Sequence, residues 1–295
     1  MNDTAAVKKS AKKHLEDNWS KAFSAMAIVL LASLAAFIAE EFVNGLMQGY
    51  GVTQKLDLSR FDINTQIPDI ISYLKEFFTS GGFRITALVT LFFILIRFLV
   101  LTPLHQGQTS WFYSVVEGTD DRLSRLFYYY STNDMYLSAL SFRFSLFMKK
   151  LGYGIISFIA PAASLGLTLN QYLLFRTTGN EADKKRATLY LIITIALLLL
   201  GLILFFLLSL KIFIARYVFA RYTLTVKHAN NGKCFSEASR LISKNKSRVV
   251  SLFISMLPLF ISCVLILPLL YVYPYFFCCC AELANEIMIE GSEKK

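Results

Sequence analysis

The chain holds 295 residues, of which 55% are hydrophobic and only 17% charged, with a mean hydropathy of +0.51. Soluble domains run nearer about 45–50% apolar and about 25% charged, so an ordinary soluble globule is excluded. Thirty Lys and Arg against twenty Asp and Glu leave a net charge of +10. No soluble basic module with exposed aromatics is present, so this charge suits a membrane surface and not nucleic acid.

The apolar residues fall in long blocks. The expected fold is all-α: a polytopic helical membrane protein of about five transmembrane helices with interfacial amphipathic helices, one integral membrane domain over 1–295. In chain order, a basic cytoplasmic amphipathic segment (1–21) leads into a span at Ala22–Ala39, closed by Glu40 and Glu41. Polar residues precede that block and no small-residue cleavage site ends it, so it is read as a retained span. An extracytoplasmic loop (48–82) carries a short helix after Pro68, with Ile70, Ile71, Leu74, Phe77 and Phe78 on one face. Ile85–Leu104 is the second span, broken only by Arg97.

Beyond it, Trp111, Phe112, Val115 and Val116, then Leu123, Leu126, Phe127 and Tyr130, have the spacing of helix faces lying on the membrane. The same faces serve equally well to pack against the ends of spans. Leu151–Phe175 and Ala187–Leu210 are the third and fourth spans. A basic cytoplasmic elbow (211–248) follows, with Phe235, Ala238, Leu241 and Ile242 on one face. Val249–Ala281 is the fifth span, or two if it folds back, although no polar turn divides it. Residues 282–295 read as a polar tail.

A crossing helix needs roughly 20 apolar residues, and short loops rich in Lys and Arg stay in the cytoplasm. The N-terminal segment holds five such residues, the loop after the second span five and the loop after the fourth nine, against ten on the opposite side. The expected topology is N-terminus inside and C-terminus outside, in the cell membrane.

Two segments repeat. AKKHLEDNWSKAFS at 11–24 aligns with ASRLISKNKSRVVS at 238–251, pairing Asn18 with Asn245, Ser20 with Ser247, Lys21 with Arg248 and Ser24 with Ser251. Each places a basic helix, then Asn, directly before a span. Asn tolerates the left-handed conformation that ends one helix, and its side chain caps the next. Both are read as elbows where the chain leaves the membrane surface and enters the bilayer. A poorer copy surrounds Asn133.

AKKHLEDNWSKAFSAM, GQTSWFYSVVEG with RLFYYYSTNDMYLSAL, and CFSEASRLISKNKSRVVSLFISMLP through YVYPYFF together resemble the domain of unknown function 975, a family of uncharacterised bacterial multi-pass membrane proteins. The chain departs from that pattern in lacking an Ile-Pro-Gly before its last cytoplasmic stretch, in carrying Lys246 after the second elbow Asn, and in the additional span Ala187–Leu210. The resemblance implies class and layout and brings no activity with it.

Catalytic and metal-binding patterns are not found. His14, His105 and His228 are isolated, and Cys278, Cys279 and Cys280 point about 100° apart on a helix, as packing residues do. No metal or cofactor is expected. Pro161, Pro258 and Pro268 are ordinary in membrane helices and are also the mark of broken helices that line substrate sites, and Ala162 with Gly166 forms a small-xxx-small pair that admits another helix. Arg97 is the candidate intramembrane contact. It lies about 10 Å below the cytoplasmic end of its span, within reach of snorkelling or of backbone carbonyls, where Lys should replace it and Leu should insert at least as well. The alternative is an anion or headgroup contact in a cavity open to the cytoplasm, which Lys should not replace. The expected function is a non-enzymatic membrane scaffold, assembly or lipid-interacting component; the alternative is a transporter or channel for a small solute or anion. The expected partners are the lipid bilayer, with anionic lipid at the cytoplasmic face, and a membrane protein or second copy, with no nucleic acid.

Overall fold

The structure, a computed structural model, describes residues 2–52, 67–119, 121–225, 230–262 and 266–293. Lys55, Arg60, Lys227, His228, Cys263, Lys294 and Lys295 lie outside the described residues, as do the side chains of Pro68, Ile70, Ile71, Leu74 and Pro268. The described residues form helices and no strand: α1 (Asn2–Glu16), α2 (Trp19–Gly49), α3 (Ile67–Thr79), α4 (Gly81–Glu117), a 3-10 segment η1 (Leu123–Tyr130), α5 (Asn133–Thr178), α6 (Glu181–Thr225), α7 (Asn231–Ser262) and α8 (Ile266–Glu293). Four of them, α2, α4, α5 and α6, are long and apolar enough to cross a membrane. The protein is an all-α polytopic helical protein.

The expected fifth span is not one continuous crossing. Val249–Ser262 ends α7, and α8 returns antiparallel: Phe253 and Phe260 both meet Phe276, at 5.6 and 5.0 Å between ring centroids, while Arg248 reaches Glu286 and Glu290 at the far end of α8. The apolar limb of α7 is about 21 Å long, shorter than about 30 Å of hydrocarbon, so it makes half of a hairpin. The expected polar tail is helix through Glu293 and buries Leu283, Ala284, Ile287 and Met288. This brings the C-terminal end of α8 back to the end of the molecule that holds α1. The N-terminal span is also longer than expected, because α2 continues past Glu40 and Glu41 to Gly49.

The faces read as interfacial turn inward. Trp111, Phe112, Val115 and Val116 are buried on the continuation of α4, and Ala238, Leu241 and Ile242 are buried on α7. Leu123–Tyr130 winds as a 3-10 helix, whose threefold repeat buries Leu126 and Tyr129 and leaves Phe127 and Tyr130 outside. A 3.6-residue period misplaces Phe127 and Tyr130 for that reason. These segments close one core at the α1 end, filled by Trp111, Tyr113, Tyr129, Phe142 and Phe219. Phe142 and Phe219 stack at 4.0 Å between centroids and join α5 to α6.

Two backbone features position this core. A Cβ at Gly107 would overlap the carbonyl of Leu126, so only glycine lets η1 lie on α4. The Gly-aromatic-Gly stretch seen in the sequence is therefore the packing seam of α4 against η1. Pro103, inside α4, has no N–H to offer the carbonyl of Leu99, and the Tyr136 hydroxyl of α5 donates to that oxygen at 3.2 Å.

Candidate functional site

The elbow residues lie at two bends of the helical chain. Asn18 lies between α1 and α2 with φ −122° and ψ 11°, and Asn245 lies within α7 with φ −120° and ψ 16°. Neither is left-handed, contrary to expectation. Each side-chain amide donates backwards, Asn18 Nδ2 to the His14 carbonyl at 3.2 Å and Asn245 Nδ2 to the Leu241 carbonyl at 3.1 Å. Asn18 makes no side-chain cap to α2. The Asn therefore closes the helix before the bend by occupying a carbonyl that has lost its i+4 partner.

Ser20 and Ser247 are exposed at both elbows. Lys21 pairs with Asp121, and Arg248 pairs with Glu286 at 2.6 Å and Glu290 at 2.7 Å. The poorer third copy differs: Asn133 opens α5, and Thr132 caps that helix by accepting from the Met135 N–H at 3.3 Å. Cys278, Cys279 and Cys280 are buried in the core, with the Cys278 thiol donating to the Ala11 carbonyl at 3.5 Å. Among the described residues no group of His, Cys, Asp and Glu is placed to hold a metal ion.

Arg97 has a partner that spacing along one helix does not show. Its Nη2 lies 2.6 Å from Glu40 Oε2 on α2, and its side chain is 31% exposed against 12% for Glu40. The same Nη2 lies 3.5 Å from the Ala36 carbonyl. The position is thus an ion pair across two antiparallel helices and not a lone snorkelling cation.

The charges that lack such partners lie nearer the core. A cavity of about 350 Å³ sits where α2, α4, α5, α6 and α8 converge, and it is lined by His105, Gln108, Arg143, Arg216 and Tyr273 among others. Arg143 and His105 also line a second space, a lateral groove of about 540 Å³ between α4 and α5 whose other walls are mainly Leu and Phe. Among the described residues neither Arg143 nor Arg216 forms an ion pair, and the Arg216 Nε is buried with no hydrogen-bond partner. The backbone near them is tied down: Gln106 Nε2 donates to the Arg216 carbonyl at 3.3 Å, and Gln108 Nε2 lies 2.9 Å from the Met26 sulfur.

Reading the sequence for orientation counts Arg143 and Arg216 only as cytoplasmic charge. The signal that sets them apart is local. Each sits in an apolar helical run, SFRFSLF and IFIARYVF, from which Phe142, Leu146, Ile212, Ile214, Ala215 and Phe219 go into the core. An arginine so placed must leave its guanidinium in a cavity or against the lipid headgroups.

No family model, curated protein or solved structure matches this chain.

Proposed function

We propose that the protein is a non-enzymatic membrane component that holds lipid and a protein partner, a scaffold or assembly element and not a conduit. The observation that carries this reading is the separation of the spans into two antiparallel pairs, α2 with α4 and α5 with α6. Among the described residues α4 joins the two pairs by its contacts with α5 and α6, and α2 makes no close backbone approach to either. A conduit needs a polar path enclosed by spans, whereas the space between these pairs opens sideways and is walled mainly by leucine and phenylalanine, with Arg97, His105 and Arg143 as its charged or titratable members. Three hydroxyls inside the α5–α6 pair satisfy one another, those of Ser164 and Thr168 lying 2.8 and 3.1 Å from that of Thr194.

The outward faces of the spans remain uncovered, including Leu30, Leu34, Leu199 and Ile203, and nothing lies within 4 Å of a Cβ built on Gly166. Lipid covers such faces, and a small residue among them favours a second helix, from another copy or another membrane protein. The Lys and Arg distribution supports a cytoplasmic α1 and core in the cell membrane, facing anionic lipid. The resemblance to the domain of unknown function 975 agrees with this layout. Reconstitution into vesicles tests the reading: anion and cation flux should equal that of empty vesicles, and Ile203→Cys or Gly166→Cys should cross-link to a neighbouring chain. Solute flux that depends on the protein would replace scaffold with transporter.

A further inference from the structure

We propose that Arg143 and Arg216 bind the phosphate of an anionic phospholipid, one acyl chain of which lies in the groove between α4 and α5. The inference rests on the lipid-holding reading above and names its site. Four features of the molecule lead to it.

First, two guanidinium groups share one cavity with no carboxylate on its walls. A cation drawn out of water costs several kcal/mol unless an anion meets it, and the Arg216 Nε still lacks an acceptor. Second, the fork of an arginine matches the oxygens of a phosphate, and two forks surround one. Arg97, by contrast, is already occupied by Glu40.

Third, the level is that of headgroups. His105 follows the last residue of the apolar stretch Ile85–Leu104, and Arg143 and Arg216 lie beyond the ends of Leu151–Phe175 and Ala187–Leu210. Fourth, the groove that shares His105 and Arg143 runs from there along Leu101, Phe98 and Leu95 to Leu91, with Phe144 and Phe147 opposite and with Arg97, its charge met by Glu40, at its edge. From His105 to Leu91 is about 21 Å of helix, enough to cover the ~15 Å depth of one leaflet. A free anion would use the cavity and leave the groove bare. A phospholipid fills both.

The test uses the full chain purified in neutral detergent, titrated with phosphatidylglycerol, phosphatidylcholine or inorganic phosphate, with bound lipid read by native mass spectrometry and folding by thermal melting. Phosphatidylglycerol should be retained and should raise the melting temperature. Retention should fall roughly tenfold or more in Arg143→Gln and Arg216→Gln, and stay unchanged in Lys244→Gln on the basic rim. Leu95→Trp, which fills the groove without altering charge, should also weaken retention. If a Gln variant fails to fold, Arg143→Lys and Arg216→Lys keep the charge and lose the fork, and should weaken retention severalfold.

Equal retention of phosphatidylglycerol by the Arg variants and the parent would overturn the site. So would stabilisation by inorganic phosphate that matches the lipid's and ignores Leu95→Trp, since that describes a free-anion pocket. Either result can occur without solute flux, so the site can fail while the scaffold reading stands. Protein-dependent flux would instead remove that reading.

Discussion

Asn18 and Asn245 adopt one backbone conformation within 5° and make one hydrogen bond, from side-chain amide to the carbonyl four residues earlier. The likeness extends outward in register. Val7 and Cys234, Ala11 and Ala238, Leu15 and Ile242 are buried at matching places before the bend. Ala22 and Val249, Ala25 and Leu252, Val29 and Met256 are buried after it. The chain thus contains the same helix–bend–helix unit twice, and the units touch: Thr4 and Ser251 hydroxyls lie 3.1 Å apart, and Lys8 Nζ donates to the Ser255 carbonyl at 2.8 Å.

Because the elbow amide acts as a donor, its replacements rank differently from those of an N-cap. Asn18→Ala and Asn245→Ala should each cost about 1 kcal/mol. Asn18→Asp, a good cap but unable to donate when ionised, should be no better than Ala. Thermal melting of the three variants in detergent checks this, and an Asp variant as stable as the parent would restore the capping role.

The pair between Arg97 and Glu40 reverses the expectation drawn from sequence for Arg97→Leu. Removing one partner leaves the other unpaired in apolar surroundings, at a cost on the order of 3–5 kcal/mol. Arg97→Leu and Glu40→Leu should each lower the melting temperature, and the double variant should recover most of the loss. Additive losses would mean that the two residues act independently.

Gly107→Ala should be far more damaging than its chemistry suggests, since the new methyl group meets the Leu126 backbone. A loss of folded yield is expected, and fluorescence should report Trp111 leaving its buried site. Gly166→Ala is the control. With nothing within 4 Å it should gain up to about 1 kcal/mol from helix propensity in the monomer.

The α7–α8 hairpin places both ends of the described chain on one side. Reporter domains fused before Asn2 and after Lys295 should give the same side, and one at Glu181 the opposite side. Opposite signals from the two termini would require α8 to cross the bilayer and would reject the hairpin.

The spans were legible because about 20 apolar residues in a row have few other uses, and four of the five expected stretches fall on the four long apolar helices. Whether the fifth stretch folds back stays open in the sequence, because Val249–Ala281 carries no polar or glycine-rich punctuation. The inward faces were visible as periodicity, but periodicity does not say whether lipid or protein covers a face. The elbow asparagines stood out by repetition, and their bonding did not, because an amide donates and accepts with equal ease. The pairing of Arg143 with Arg216 is not legible in the sequence for a different reason. They meet only when α5 and α6 are folded together, and no local pattern joins them.

The docking of α1 has a consequence for how the molecule is made. Its buried side, Val7, Ala11 and Leu15, is completed by α7 and α8, through bonds such as Tyr275 to the Lys8 carbonyl at 3.2 Å, 267 positions apart in sequence. At roughly 5–20 residues per second, a ribosome delivers those late helices roughly 15 s to a minute after the first one emerges. Until then α1 lacks most of the protein it rests on, having only its smaller contacts with α2 and α4. The nearest surface with matching chemistry is the bilayer itself, which would hold α1 by its lysines and apolar side. On the lipid-holding reading proposed above, the membrane would stand in for α7 and α8 until the core closes.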